Sequence, residues 1–111
     1  MAEITYYRGD SYPIPFEIVD KETGDPYPIT DFTFAMTVHA EMDPLPSEAP
    51  EFTVSGVITD GPGGAVGFTP TTSDTDLDTG VYWYDVQMTD TSGNIRTIAK
   101  DKFNVVMDIT K

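Results

Sequence analysis

From Phe32 to Ala40 apolar and polar positions alternate without a break: Phe32, Phe34, Met36, Val38 and Ala40 fall on one side, Thr33, Ala35, Thr37 and His39 on the other. A period of two predicts a half-buried strand, here a central one. The same pattern returns from Tyr82 to Thr89, where Tyr82, Tyr84, Val86 and Met88 oppose Trp83, Asp85, Gln87 and Thr89. Shorter runs fill the chain around these two. Ile4 to Tyr7 reads as a first strand, and Tyr12 to Val19 as a second with Ile14, Phe16 and Ile18 inward. Pro13 and Pro15 cannot donate to a ladder, so this second strand belongs at a sheet edge. Phe52, Val54, Gly56 and Ile58 alternate as one run, and the turn Asp60 to Gly64 leads back through Ala65 to Thr69 as a hairpin. After the turn Asp90 to Asn94, Ile95 to Ala99 and Phe103 to Ile109 read equally as one bent strand or as two.

About seven or eight short strands with turn signals every 8 to 12 residues predict an all-β antiparallel sandwich. No segment carries a sustained helical period, and 111 residues suffice for a single domain spanning 1–111. Pro44, Pro46 and Pro50 among acidic residues make Glu41 to Pro50 an exposed loop, either a projecting contact arm or a plain connection.

Charge narrows the partners. The formal net charge is −13, with nineteen acidic against six basic residues. Such a field repels phosphate, which argues against nucleic acid and against an anionic membrane surface as partners. There is no cysteine, as expected of a domain folding in a reducing cytosol or braced by neighbours in an assembly. Met1 to Thr5 has neither a basic nor an apolar leader character, which predicts synthesis in the cytoplasm.

Candidate chemistry is sparse. His39 on an outward strand face has no cysteine to activate, and Ser11, Ser47, Ser55, Ser73 and Ser92 lack a nucleophile elbow. No catalytic, cofactor-binding or metal-binding residue is assigned, and no cofactor is expected. Asp74, Asp76 and Asp78 have the spacing of a calcium loop, with Asp85 at the twelfth position, but Thr79 stands where that loop needs glycine. An acidic turn whose carboxylates cap backbone amides is the competing reading. Arg8-Gly9-Asp10 is an adhesion tripeptide when displayed, and otherwise a turn that Gly9 bends. Trp83 sits on the polar side of its strand, which leaves two readings: an interface residue, or, with the parity reversed, a core residue.

Asp78, Gly80, Tyr82 and Tyr84 resemble the Asp-x-Gly-x-Tyr-x-Cys run of immunoglobulin (Ig) domains, with Tyr84 in the cysteine's place. The resemblance implies a tyrosine corner, in which the Tyr82 hydroxyl returns to the preceding turn. Over nearly the whole chain, Tyr7 to Phe16, Gly24 to Thr30, Leu77 to Val86, Ile95 to Ile98 and Phe103 to Thr110 resemble small Ig-like modules of tailed-bacteriophage virions. The likeness is to the N-terminal domain of upper baseplate proteins and to short tail and head proteins; it departs where Asp101-Lys102 replaces a usual glycine. It implies a non-enzymatic structural protein of the virion, docked on other virion subunits of tail, baseplate or capsid and able to form a homo-oligomer. Tail or baseplate attachment ranks ahead of capsid decoration, and the alternative is a ligand-binding module, for carbohydrate or for calcium-dependent adhesion, with Trp83 and the exposed tyrosines as a stacking platform.

Overall fold

Along the two longest alternating runs the fold buries Phe34, Met36 and Val38 in one and Tyr84, Val86 and Met88 in the other, with Phe32 and Tyr82 partly buried against the same core. Ala40, which the pattern also sends inward, lies past the end of the strand and is exposed. The computed structural model describes residues 3–20, 22–40 and 49–107. These form eight strands: β1 (Ile4–Tyr7), β2 (Ile14–Glu17), β3 (Thr33–His39), β4 (Phe52–Ser55), β5 (Val57–Asp60), β6 (Ala65–Phe68), β7 (Gly80–Thr89) and β8 (Ile95–Val106). Five strands make one sheet in the order β1-β8-β7-β3-β4, and three make the other in the order β2-β6-β5. Their inner faces share one apolar cluster, so the fold is an all-β sandwich.

The expectation of a wholly antiparallel sandwich needs one correction. β1 pairs with β8 in parallel, Ile4 opposite Phe103 and Tyr7 opposite Val106. The reason is topological: the turn after Tyr7 carries the chain into the other sheet, so β1 has no hairpin partner and lies along the last strand instead. A parallel pair requires a long crossover, and here the intervening domain supplies it.

A second correction concerns residues 52–58. The single alternating run is two strands in different sheets, β4 beside β3 and β5 beside β6. The chain crosses the sandwich at Gly56, whose N–H donates to the Phe34 carbonyl at 2.8 Å. A Cβ there would stand 2.8 Å from Phe34 Cβ, 2.9 Å from Phe68 Cε2 and 2.9 Å from Val66 Cγ2. Only glycine lets the backbone pass between those side chains.

The open choice at the C-terminal end resolves to one strand, β8, with a register shift opposite Val86 and Gln87. The edge position of β2 is as the prolines predict: it pairs with β6 alone. The Ile18 N–H donates to the Gly64 carbonyl, so by alternation the nitrogens of Pro13 and Pro15 point away from β6, where no ladder bond is lost.

Aromatic rings join the two layers. Phe16 of β2 meets Phe68 edge-on at 5.5 Å and Tyr84 of β7 at 6.2 Å between centroids. Phe103 lies between Phe52 and Tyr6, at 5.9 and 5.8 Å. Tyr6 also ties down the turn that follows it: its hydroxyl donates to the Tyr12 carbonyl at 2.8 Å and accepts from the Tyr12 N–H at 2.6 Å, with the two rings stacked. Burial, helped by the nearby Asp101 carboxylate, pushes the Tyr84 hydroxyl up to about 12.

Two outcomes are expected. Gly56→Ala overfills the crossing and lowers stability by about 1–3 kcal/mol in denaturant unfolding, without altering the slope. Tyr84 favours the folded state only while protonated. That contribution is whole below the ordinary tyrosine pKa and is lost as pH rises toward about 12. Alkaline unfolding followed by tyrosinate absorbance is therefore expected to begin above pH ~10, and later for Tyr84→Phe.

Candidate docking face

With Tyr84 buried, the phase of β7 is settled and Trp83 faces outward, half-covered, on the open side of the five-stranded sheet. Strand register places His39 of β3 and Lys102 of β8 on either side of it. The Lys102 Nζ lies 5.9 Å from the centre of the indole ring, within reach of a cation–π attraction. In the next row Asp85 has Thr37 on one side and Lys100 on the other. Burial raises the Asp85 carboxyl above the ordinary carboxylate range, with His39 and Lys100 pulling it back down. Two residues along β7 in the other direction, Val81 is 55 % exposed and opposite Asn104. A shallow depression there is lined by Thr5, Gly80, Val81, Asn104, Val106 and Met107.

The chemistry of this face differs from that of the chain as a whole. Its outward strand positions carry hydroxyl and small side chains, the apolar Val81, Ile95 and Val106, the amides of Gln87 and Asn104, and Trp83, His39, Lys100 and Lys102, and Asp85 is the one carboxylate among them. Thr33, Ala35, Thr37, Thr53 and Ser55 keep it low in relief. A weakly charged sheet face bearing a partly covered tryptophan is suited to meeting another protein surface.

Most of the sequence-predicted residues lie elsewhere. Arg8-Gly9-Asp10 is a turn closing β1: Gly9 has φ of 79°, its N–H donates to the Thr75 carbonyl, and Arg8 Nε pairs with Asp76 Oδ1 at 3.1 Å. The facing loop holds this turn through Thr75, fully buried, whose hydroxyl donates to the Asp10 carbonyl at 2.7 Å. Ser11 donates to the Pro70 carbonyl. The three aspartates of the calcium-like run are spread over separate tasks. Asp74 accepts from the Thr71 N–H, Asp76 pairs with Arg8, and the Asp78 carbonyl accepts the Tyr82 hydroxyl at 2.7 Å. That last bond returns the Tyr82 hydroxyl to the preceding turn, as the resemblance implies. Among the described residues no group of three or more His, Cys, Asp or Glu side chains could hold a metal ion. Of the proline-rich stretch 41–50, residues 41–48 and the contact arm read into them lie outside the described residues, as does Ser47.

Lys102 and Lys100 are the members of the site that the sequence pattern does not bring to Trp83. A regular hairpin closed at Thr89 and Ile95 sets Asp101 opposite Trp83; one extra residue in β8 substitutes Lys102. Compared with known proteins, the chain matches no family model and no curated protein.

Because Trp83 lies outside the core, Trp83→Ala is expected to cost less than about 2 kcal/mol in thermal unfolding, against about 3–5 kcal/mol for Phe103→Ala. Equal losses would return Trp83 to the core. For Asp85 the raised pKa means that its contribution is whole below the ordinary aspartate value and is lost as pH rises through the folded one. Melting temperatures of Asp85→Asn and wild type should therefore agree most closely in acid, with the variant gaining toward neutrality.

Proposed function

We propose that this chain is a non-enzymatic structural module of a tailed-phage virion, docking on other virion subunits through the outer face of its five-stranded sheet, in tail or baseplate attachment ahead of head decoration. The observation that carries the docking is Trp83, half-covered on the central strand of the outer face and flanked by His39 and Lys102, in a chain whose net charge is −13. Tryptophan is enriched among the residues that dominate interface energetics, and a weakly charged face is the least costly part of an acidic molecule to desolvate.

The virion assignment rests on the sequence resemblance, and the Ig-like part of it has further support. An Ig-like sandwich sets its third, sixth and seventh strands in one sheet and its second, fifth and fourth in the other. The order β8-β7-β3-β4 against β2-β6-β5 has that form, with β4 as an added strand beside β3. The Tyr82 hydroxyl on the Asp78 carbonyl is the tyrosine corner of such a domain. Phe16 of β2 and Tyr84 of β7 meet across the layers at 6.2 Å, where such a domain would carry its inter-sheet disulfide. A glycan platform at Trp83 is less favoured, because the Lys102 ammonium already lies over the ring.

Purified particles probed with gold-labelled antibody against the chain are expected to carry label at the tail or baseplate. Trp83→Ala should reduce the label while the variant stays folded. Particles without label would sink the proposal.

A further inference from the structure

A sandwich with open sheets has four edges, and three of these are obstructed. β2 presents proline nitrogens at Pro13 and Pro15. β5 is interrupted by a register shift between Ile58 and Asp60. β1 is cut short by the turn after it, whose Asp10 N–H takes the Tyr7 carbonyl. Prolines, bulges and short turns are the usual means by which edges avoid pairing with other chains.

β4 is as short as β1 and follows Pro50 and Glu51, the latter's N–H donating to the Val38 carbonyl, but no proline, turn or register shift lies within it. Its register against β3 runs unbroken from Phe52 to Ser55, and the strand contains neither proline nor charge. The Gly56 N–H on the Phe34 carbonyl fixes the phase of the ladder, so Phe52 and Val54 turn their backbone groups to β3 while Thr53 and Ser55 turn theirs away. No backbone bond to those outward groups occurs among the described residues. The side chains of Phe52 and Val54 are buried, which holds the strand in place.

We propose that the β4 edge accepts an extended segment of a partner protein as a sixth strand of the large sheet, paired to the backbone of Thr53 and Ser55. This rests on the docking reading above and specifies its partner. The segment's chemistry follows from the surroundings. Side chains placed beside Thr53 and Ser55 join the outer face that carries Trp83, so small or β-branched polar residues fit there, and basic flanks complement a chain of net charge −13. The same charge disfavours a second copy of this chain as the occupant, since two such molecules repel.

The test is amide hydrogen exchange by NMR on the full chain, with and without a synthetic peptide of alternating threonine and valine carrying lysines at both ends. In the free chain the Thr53 and Ser55 amides should exchange faster than that of Val54. Saturating peptide should slow both by about tenfold or more. Thr53→Pro removes only an outward N–H and should abolish the effect while exchange in β3 and β7 stays slow. Should that variant fail to fold, Thr53→Lys blocks the edge with every β3–β4 bond intact. Protection of Thr53 and Ser55 already present in the dilute free chain would give the edge to another segment of this chain and overturn the proposal. So would protection that grows with protein concentration alone, which indicates a second copy, or exchange unchanged by peptide. Particles labelled equally by wild type and Thr53→Pro would remove the edge pairing and leave docking through the Trp83 face; unlabelled wild-type particles would remove the docking reading itself.

Discussion

One residue more in β8 than a regular ladder needs decides what this molecule hides and what it displays. The pairing of β7 with β8 begins at Thr89 and Ile95 and holds through Gln87 and Thr97, then advances by one at Val86 and Ala99. Because side chains alternate with a period of two, that single advance exchanges the faces of every later residue in the strand. Ala99, Phe103 and Val105 are turned inward, where all three are buried. Lys100 and Lys102 are turned out, beside Asp85 and Trp83. The core contact of Phe103 with Tyr6 and Phe52 and the cationic surround of the indole ring are two results of the same irregularity.

Cohesion between the layers comes from rings and not from covalent links. Phe16 reaches from the small sheet to Tyr84 in the large one, and Phe68 braces Phe16 edge-on. Such pairs contribute about 0.5–1.5 kcal/mol each beyond the area they bury. Tyrosines at the layer's rim do a second task, since the hydroxyls of Tyr6 and Tyr82 each close a loop by bonding to its backbone. The acidic loop around residues 70–79 is held in the same economical way, by Thr75, Arg8 and the Thr71–Asp74 exchange of hydrogen bonds.

Much of this was legible because local chemistry leaves few choices. Alternation at Phe32–Ala40 and Tyr82–Thr89 marks β3 and β7, prolines place β2 at an edge, and the Asp-x-Gly-x-Tyr spacing foretells the Tyr82 bond. What escaped depends on contacts distant in sequence. The period of two runs smoothly from Phe52 to Ile58, and nothing local says that Gly56 passes between Phe34, Val66 and Phe68 into the other sheet. Ile29 lies in a loop and yet is wholly buried, its N–H donating to the Gly61 carbonyl, because the loop folds under the β5–β6 turn. Aromatic residues on both sides of β7 left the orientation of Trp83 undecided until the sheet gave the strand its phase. The register shift in β8 carries no local signature, so the lysines of the candidate site were hidden with it.

The parallel pairing of β1 and β8 also bears on how the domain would behave under tension. Ile4 starts one strand and Val106 finishes the other, and the two run side by side in the same direction. Opposed forces applied at those two points are directed along the strands and load the rungs between Ile4–Phe103 and Tyr7–Val106 together, in shear. A hairpin pulled at its two open ends would instead yield one rung at a time, so the topology makes this end of the sandwich a mechanical clamp.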